Sequence, residues 1–103
     1  MRTINLETWS RSEHFQFFSG FDHPHSSLCA NVELTRFYPA VKRGGISFTV
    51  ATVYAITRAA NAIPEFRYRI RSGAVVEHVV VHPSTTILTK DDLFSFCTFD
   101  LID

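Results

Sequence analysis

Five histidines are the side chains in this sequence best suited to proton transfer near neutral pH: His14, His23, His25, His78 and His82. His78 and His82 are four residues apart, a spacing that suits two metal ligands on a helix. The valines around them predict a strand instead, in which four residues span about 13 Å. A shared metal ion is therefore not expected. His23 and His25 flank Pro24 without an acidic or cysteine neighbour, which predicts a surface loop.

The other polar residues form no recognised catalytic motif. His14, beside Glu13, is expected to pack or cap a helix rather than to catalyse. The chain has neither a glycine-rich phosphate loop nor a nucleophile elbow. A Ser-His-Asp set stays open, because its members meet in space rather than along the chain. Arg67, Arg69 and Arg71 alternate with apolar residues; they could grip a phosphate, but the pattern is typical of the solvent-facing side of a strand, which we predict.

Length and composition indicate a single domain. They give no reason to expect nucleic acid or an acidic membrane as a partner. The 103 residues are 46% hydrophobic and include ten Phe, a load that suggests some burial against a partner. A net charge of zero argues against nucleic acid and acidic membranes. Cys29 and Cys97 fit neither a disulfide framework nor a zinc site, so we expect buried free thiols. The sequence shows no signal peptide and no membrane-length apolar run, which predicts a cytoplasmic protein.

Three helices are predicted, over residues 10–20, 35–43 and 47–61. Ser10 and Glu13 form a capping box at the start of the first. Thr35 can cap the second, which a Gly-Gly pair ends. Ser47 can cap the third, whose apolar residues recur at spacings of three and four. Pro64 prevents this helix from continuing.

The remaining chain predicts strands, over residues 28–35, 66–71, 74–81, 85–89 and 93–99. Ser72 and Gly73 separate two of them by a turn signal, which indicates a hairpin. The predicted order of elements is typical of α+β proteins: a helix, a strand, two helices and then successive strands. We therefore predict a mainly antiparallel or mixed sheet with helices packed on one side.

Three short runs resemble a known family: Trp9-Ser10-Arg11-Ser12-Glu13-His14-Phe15, Asn61-Ala62-Ile63-Pro64-Glu65-Phe66-Arg67 and Val81-His82-Pro83. In this order and spacing the chain resembles the N-terminal part of a chloramphenicol acetyltransferase, from about Ile4 to Phe96. The resemblance implies the fold of CoA-dependent acyltransferases and a homotrimer with active sites between subunits. It also implies transfer of an acetyl group from acetyl-CoA, used as a co-substrate without a metal, to the hydroxyl of a small molecule.

The resemblance also implies roles for individual residues. Arg11 matches the arginine that pairs with the Asp of the family signature His-His-x-x-x-Asp-Gly and so holds the loop of the catalytic base. That signature lies near the family's C-terminus and is absent from these 103 residues, so we expect the chain alone to be inactive. The expected acceptor-binding residues are Phe18, on an aromatic pocket position, Asp22, Pro24 and Ser26, on a contact loop, and Phe94 and Phe96, on a later strand.

Two functions therefore stand side by side. The first is the N-terminal part of an acetyl-CoA-dependent O-acetyltransferase. The second is a non-catalytic binding or oligomerisation remnant of the same fold. Asp22, Pro24 and Ser26 replace apolar or aromatic residues of drug-binding members. Because a buried unpaired carboxylate is costly, Asp22 argues against an unchanged apolar drug pocket.

Overall fold

The computed structural model describes residues 1–91 and 93–100, which form helices and two small antiparallel sheets. The helices are α1 (Ser12–Ser19), α2 (Phe37–Arg43), α3 (Phe48–Asn61) and a 3₁₀ turn (Pro64–Arg67). The strands are β1 (Arg2–Thr3), β2 (Tyr68–Arg71), β3 (Ala74–Glu77), β4 (Ser84–Leu88) and β5 (Phe94–Thr98). One sheet has the order β1-β3-β2 and the other pairs β4 with β5. The predicted α+β class is confirmed, but the sheet is in two parts.

The longest helix, α3, forms as its sequence signals predict. Ser47 is its N-cap, and the Ser47 hydroxyl accepts a hydrogen bond from the backbone N–H of Val50 at 3.4 Å. The helix ends at Asn61, and Pro64 opens the 3₁₀ turn. In the described part of the chain, no helix is long and apolar enough to cross a lipid bilayer.

The β2–β3 hairpin contains the best-packed part of the chain. Ser72 and Gly73 form its turn, with φ angles of 51° and 80°, the left-handed pair that a two-residue hairpin loop requires. Strand β1, which no sequence signal predicted, pairs antiparallel with the other side of β3. The buried apolar residues of the described chain are Ile4, Val41, Val75 and Val76, so β3 supplies half of the small core.

Two predicted helix caps are wrong. The first helix begins at Ser12 with Arg11 as N-cap and no side-chain capping bond, because the chain first makes a turn in which the N–H of Ser12 bonds to the carbonyl of Trp9 at 3.1 Å. The capping box of Ser10 and Glu13 therefore does not form. The second helix starts after Arg36 rather than after Thr35 and also has no side-chain cap. Its predicted glycine end is confirmed, with Gly44 as C-cap.

Several predicted strands are shorter than expected or absent. Residues 28–35 form no strand, because no strand edge in the described chain pairs with them. The strand predicted over 66–71 begins only at Tyr68, since the 3₁₀ turn occupies 64–67. The strand predicted over 74–81 stops at Glu77. Cys29 is exposed and Cys97 is half-buried, so the prediction of two buried thiols is wrong.

Candidate functional site

A groove between α1 and β2 collects three of the residues that the sequence singled out. Arg11, Phe18 and Pro24 line it together, and its volume is about 320 Å³. The other lining residues are Trp9, His14, Phe15, Ser19 and Ile70. We call this surface the α1 groove. Its lining combines an apolar wall with a guanidinium and an imidazole, and small-molecule sites commonly combine apolar walls with a few polar groups.

Trp9 holds α1 against the sheet that forms the other side of the groove. Its ring lies 5.8 Å from that of Tyr68 on β2, nearly edge-on at 78°. It also lies 6.0 Å from the ring of Phe15 on α1. Edge-to-face and tilted contacts of this kind are favourable arrangements of aromatic rings. The matching run from Trp9 to Phe15 thus positions the helix that carries Arg11 and Phe18.

Arg11 occupies the N-cap of α1, with an exposed side chain on the rim of the α1 groove. Its carbonyl accepts the backbone N–H of Phe15 at 3.0 Å, so the backbone of Arg11 is fixed. Within residues 1–91 and 93–100, no ion pair involves its guanidinium. Such a guanidinium can bind an incoming carboxylate through two parallel hydrogen bonds. His14, three residues along the helix, lines the same groove, although the sequence analysis predicted only a packing or capping role for it.

The other predicted acceptor-binding residues lie elsewhere. Asp22 and Ser26 are exposed in the coil that follows α1 and do not line the α1 groove. Phe96 is 76% exposed on β5, in the other sheet. The backbone of Phe94 pairs with Leu88, and its side chain lies outside the described part of the chain. The structure therefore brings Arg11, Phe18 and Pro24 together but not Asp22, Ser26 or Phe96.

Phe18 also belongs to an exposed aromatic cluster at the end of α1. Its ring lies 5.1 Å from that of Phe17 and 5.3 Å from that of Phe21. All three side chains are about half exposed or more. These contacts hold Phe18 on the groove side while leaving a large apolar area facing solvent.

Arg67 belongs to a half-buried polar network behind the site. Only 16% of its side chain is exposed. Its guanidinium donates hydrogen bonds to the carbonyl of Asn61 at 3.1 Å, the carboxylate of Glu77 at 2.9 Å and the carbonyl of His78 at 2.8 Å. The prediction of a solvated arginine face is therefore wrong for Arg67, because this residue lies in the 3₁₀ turn before the alternation begins. Arg69 and Arg71 are exposed as predicted.

Asn61 completes this network, which we call the Asn61–Arg67 clamp. Its side-chain amide donates to the carbonyls of Thr57 and Val81, at 2.8 and 2.9 Å. Its amide oxygen accepts the backbone N–H of Val81 at 2.9 Å. The side chain thus takes the place of a neighbouring strand for Val81. Nothing in the sequence pattern indicated this role, since a polar residue at a helix end is commonplace.

Glu77 carries the negative charge of the clamp. The hydrogen bond from Arg2 lowers the pKa of Glu77 below its ordinary value of 4.5, and the charge and hydrogen bond of Arg67 add to this effect. Partial desolvation opposes the shift without cancelling it. Glu77 therefore stays ionised near neutral pH, as a bridge between β1 and the 3₁₀ turn.

A metal centre is not apparent in this arrangement. Across 1–91 and 93–100, no three His, Cys, Asp or Glu residues come together in a group that could hold a metal ion. His23 and His25 are close, with ring centroids 6.4 Å apart, but they have no third partner in that part of the chain.

Comparison with known proteins identifies the family. The family model described as chloramphenicol acetyltransferase matches residues 1–101. A chloramphenicol acetyltransferase from Klebsiella sp is 31% identical over 85 residues, which are 82% of this chain and 39% of the relative. Chloramphenicol acetyltransferase 2 from Haemophilus influenzae is 30% identical over 99 residues, covering 93% of this chain and 46% of the relative.

A solved structure of a chloramphenicol acetyltransferase superposes on the whole chain with a TM-score of 0.91 and 36% identity. The match covers 50% of that solved chain, so the sequence spans about two fifths to half of the proteins it resembles. The predicted fold and the predicted family are confirmed. From residue 1 to residue 101, the chain belongs to the chloramphenicol acetyltransferase family.

Proposed function

We propose that this chain forms the acceptor-binding part of an acetyl-CoA-dependent O-acetyltransferase. The observation that carries the proposal is the α1 groove, in which Arg11, Phe18 and Pro24 meet. Family membership supports the reaction class, an acetyl transfer. The groove adds a location where a small acceptor could lie against this part of the fold.

In this proposal the catalytic base comes from the family signature His-His-x-x-x-Asp-Gly and not from these residues. An imidazole removes the proton of the acceptor hydroxyl, the oxygen bonds to the acetyl carbon, and the C–S bond breaks. The imidazolium then returns the proton to the departing sulfur, which releases CoA as its thiol. The role proposed for this chain is to bind and orient. Arg11 would pair with a carboxylate on the segment that carries the base, and its open guanidinium is compatible with that role. Phe18 and Pro24 would provide an apolar wall for the acceptor.

The names of the relatives indicate which acceptor to test first. Several relatives are named for chloramphenicol, so this drug is the first acceptor to test. Asp22 and Ser26 are exposed on the adjoining coil, where they could meet polar groups of an acceptor. Phe94 and Phe96 would contribute only if β5 approaches the groove in the assembled enzyme. We therefore propose a hydroxyl compound of drug size, with chloramphenicol as one candidate.

The assembly and location are part of the same proposal. We infer a homotrimer with active sites between subunits, which would place further side chains against the open α1 groove. We also infer a cytoplasmic enzyme, where acetyl-CoA is available, with antibiotic resistance as its role if chloramphenicol is the acceptor. The large exposed aromatic area around Phe17 and Phe21 supports contact with another polypeptide.

The test is an assay for the free thiol of CoA. Residues 1–101 are fused to the second half of the Haemophilus influenzae relative, and the chimera receives acetyl-CoA with chloramphenicol or other hydroxyl acceptors. We expect acceptor-dependent release of thiol. Arg11→Gln should lower kcat at least 10-fold with a smaller change in KM for the acceptor, whereas Arg71→Gln, at an exposed position, should change neither. A folded chimera without turnover on any acceptor would contradict the proposal.

A second candidate function is a non-catalytic interaction domain of the same fold. It is favoured by the amount of apolar surface that the described chain leaves exposed. This candidate predicts self-association without acetyl transfer, even in the chimera. The thiol assay and a measurement of molecular mass therefore separate the two functions.

A further inference from the structure

A single linker joins the two sheets of the chain. It runs from His78, after the end of β3, to Pro83, before the start of β4. At its first end, the N–H of His78 donates to the carbonyl of Arg67 at 3.0 Å. At its last end, the carbonyl of Pro83 accepts the N–H of Phe99 at 3.1 Å and so belongs to the β4–β5 hairpin. The course of the linker between these ends therefore decides where this hairpin stands relative to the rest of the chain.

Asn61 holds the linker between those two ends. Its amide oxygen accepts the N–H of Val81, and its amide nitrogen donates to the carbonyl of Val81, each at 2.9 Å. The same nitrogen donates to the carbonyl of Thr57, one turn back on α3, at 2.8 Å. Both N–H groups of the amide are thus used, and the bond to Thr57 fixes its plane relative to the helix. We call the pairing of Asn61 with Val81 the Asn61 pin.

The backbone under the pin is fixed as well. Asn61 is the last residue of α3 and is half-buried. Its carbonyl accepts a hydrogen bond from the guanidinium of Arg67 at 3.1 Å, and the same guanidinium is bonded to Glu77 and to the carbonyl of His78. Hydrogen bonds in half-buried surroundings compete less with water than exposed ones do. The pin therefore joins the linker to a rigid part of the fold.

The base of the β4–β5 hairpin lies beside α3, next to the pin. Pro83 and Phe99 at this base, together with Val53 and Thr57 of α3, line a small cavity of about 120 Å³. Side chains that line a cavity lack contact atoms on one side. Packing at this point therefore restrains the hairpin less than a close contact would, and the hydrogen bonds of the pin carry more of the restraint.

The length of the hairpin enlarges any movement at Val81. Leu88, at the far end of β4, lies seven residues beyond Val81, which is up to about 23 Å of extended chain. A rotation of about 10° at Val81 would move that end by about 4 Å. It would move the pair formed by Thr86 and Phe96 by about 3 Å.

We propose that Asn61 is a positioning residue of the acceptor site. It sets the place of the β4–β5 hairpin, and with it the place of Phe94 and Phe96 on β5, and so it controls the affinity for the acceptor. It acts through the linker and not by contact with the acceptor. This inference rests on the proposed function for the part that the two phenylalanines play. Misplacing a binding group by about 1 Å can cost about 100-fold in activity, which is less movement than the hairpin would make without the pin.

The experiment compares Asn61→Ala and Asn61→Asp in the chimera of residues 1–101 with the second half of the Haemophilus influenzae relative. Native cysteines are replaced by serine, and spin labels are attached to new cysteines at Glu65 and Lys90. Glu65 is exposed on the 3₁₀ turn and Lys90 is exposed in the turn of the β4–β5 hairpin. Labelled protein is refolded with an excess of unlabelled chimera, so that pulsed electron paramagnetic resonance measures the distance within one chain. Titrations with chloramphenicol and with acetyl-CoA, each alone, measure the two affinities.

We expect Asn61→Ala to shift or broaden the distance between the labels by about 3 Å or more. It should weaken the binding of chloramphenicol at least about 10-fold and change the affinity for acetyl-CoA less than about 2-fold. Asn61→Asp keeps the oxygen that accepts the N–H of Val81, so its effects should be smaller and in the same direction. If Asn61→Ala does not fold, Asn61→Asp decides alone.

Val41→Ala is the matched control for lost stability. Val41 is buried on α2, so its truncation destabilises the chain without touching the linker. It should leave the label distance unchanged and alter the affinity for chloramphenicol less than about 2-fold. Binding weakened equally by Val41→Ala and Asn61→Ala would overturn the inference, because loss of stability alone would then explain the effect.

The remaining outcomes separate this inference from the proposed function. An unchanged label distance in the folded Asn61 variants would overturn the inference, whatever their affinity. A displaced hairpin with unchanged affinity for chloramphenicol would overturn it as well. A parent chimera that binds no chloramphenicol and turns over no acceptor would contradict the proposed function, and the label distances would then decide by themselves whether Asn61 places the hairpin.

Discussion

The β2–β3 hairpin and the coil of residues 28–34 have similar sequence patterns but opposite surroundings. Val75 and Val76 on β3 are 3% and 5% exposed, and β3 pairs with a strand on each side. Leu28 and Val32 on the coil are 94% and 76% exposed, and residues 28–33 make no backbone hydrogen bond in the described chain. The difference shows that alternation alone does not make a strand. A partner edge decides, and of these two regions only the hairpin has one in the described chain.

The largest expected effect comes from the clamp that fastens the hairpin to α3. Arg67→Ala removes charged hydrogen bonds to the carbonyls of Asn61 and His78 and leaves them half-buried. We expect the free energy of unfolding, measured by urea titration, to fall by about 3 kcal/mol, or the chain to lose its fold altogether. Arg71→Ala is the control and should stay within about 0.5 kcal/mol of the parent. Equal effects would mean that the clamp does not stabilise the fold.

A pair of matched valines tests the contrast between the two regions itself. Val76→Ala opens a cavity in the small core and should cost about 2 kcal/mol of stability. Val32→Ala should change the stability of the isolated chain by less than about 0.5 kcal/mol, because that side chain is exposed. Chemical denaturation of both variants measures the difference. If Val32→Ala cost as much as Val76→Ala, the coil would already be packed within this chain.

Asn61 allows a sharper test of a single contact. Asn61→Ala should destabilise the chain by about 1–2 kcal/mol and raise the amide exchange rate of Val81. Asn61→Asp keeps the oxygen that accepts the N–H of Val81 and loses the donor to its carbonyl. Exchange at Val81 should therefore remain slow in this variant although stability falls. Equally fast exchange in both variants would contradict the pairing of Asn61 with Val81.

The smallest expected effect is a dependence of stability on pH. Because folding lowers the pKa of Glu77, the ionised form stabilises the folded chain above the ordinary value of 4.5, and this contribution is lost as the pH falls through the lowered pKa. Urea midpoints measured from pH 7 downward should fall more steeply for the parent than for Glu77→Gln. Parallel pH profiles for the two proteins would show that Glu77 does not contribute.

Local signals predicted those elements that depend only on neighbouring residues. The N-cap of Ser47, the end of α3 before Pro64 and the turn at Ser72 and Gly73 were each readable in the sequence. These features involve residues within a few positions of one another, where propensity and capping act. The α+β class followed from the order of such elements.

The clamp, the strand β1 and the division of the sheet were not predicted. Arg2 and Glu77 are 75 positions apart, and Asn61 and Val81 are 20 apart, so only the fold brings them together. The strand predicted over residues 28–35 was wrong for the converse reason. A strand forms only against a partner edge, and such an edge can come from distant residues or from another polypeptide. For the candidate site, the family resemblance predicted that Arg11, Phe18 and Pro24 belong to one site. Their spacing in the sequence did not predict it.

The central claim is that the packed core lies at the β2–β3 hairpin, whereas residues 28–34 have no strand partner within the described chain. Amide hydrogen exchange of the full, monomeric chain tests it most directly. We expect Val75 and Val76 to be protected and residues 28–33 to exchange freely. Protection of residues 28–33 as strong as that of Val75 and Val76 would contradict the account.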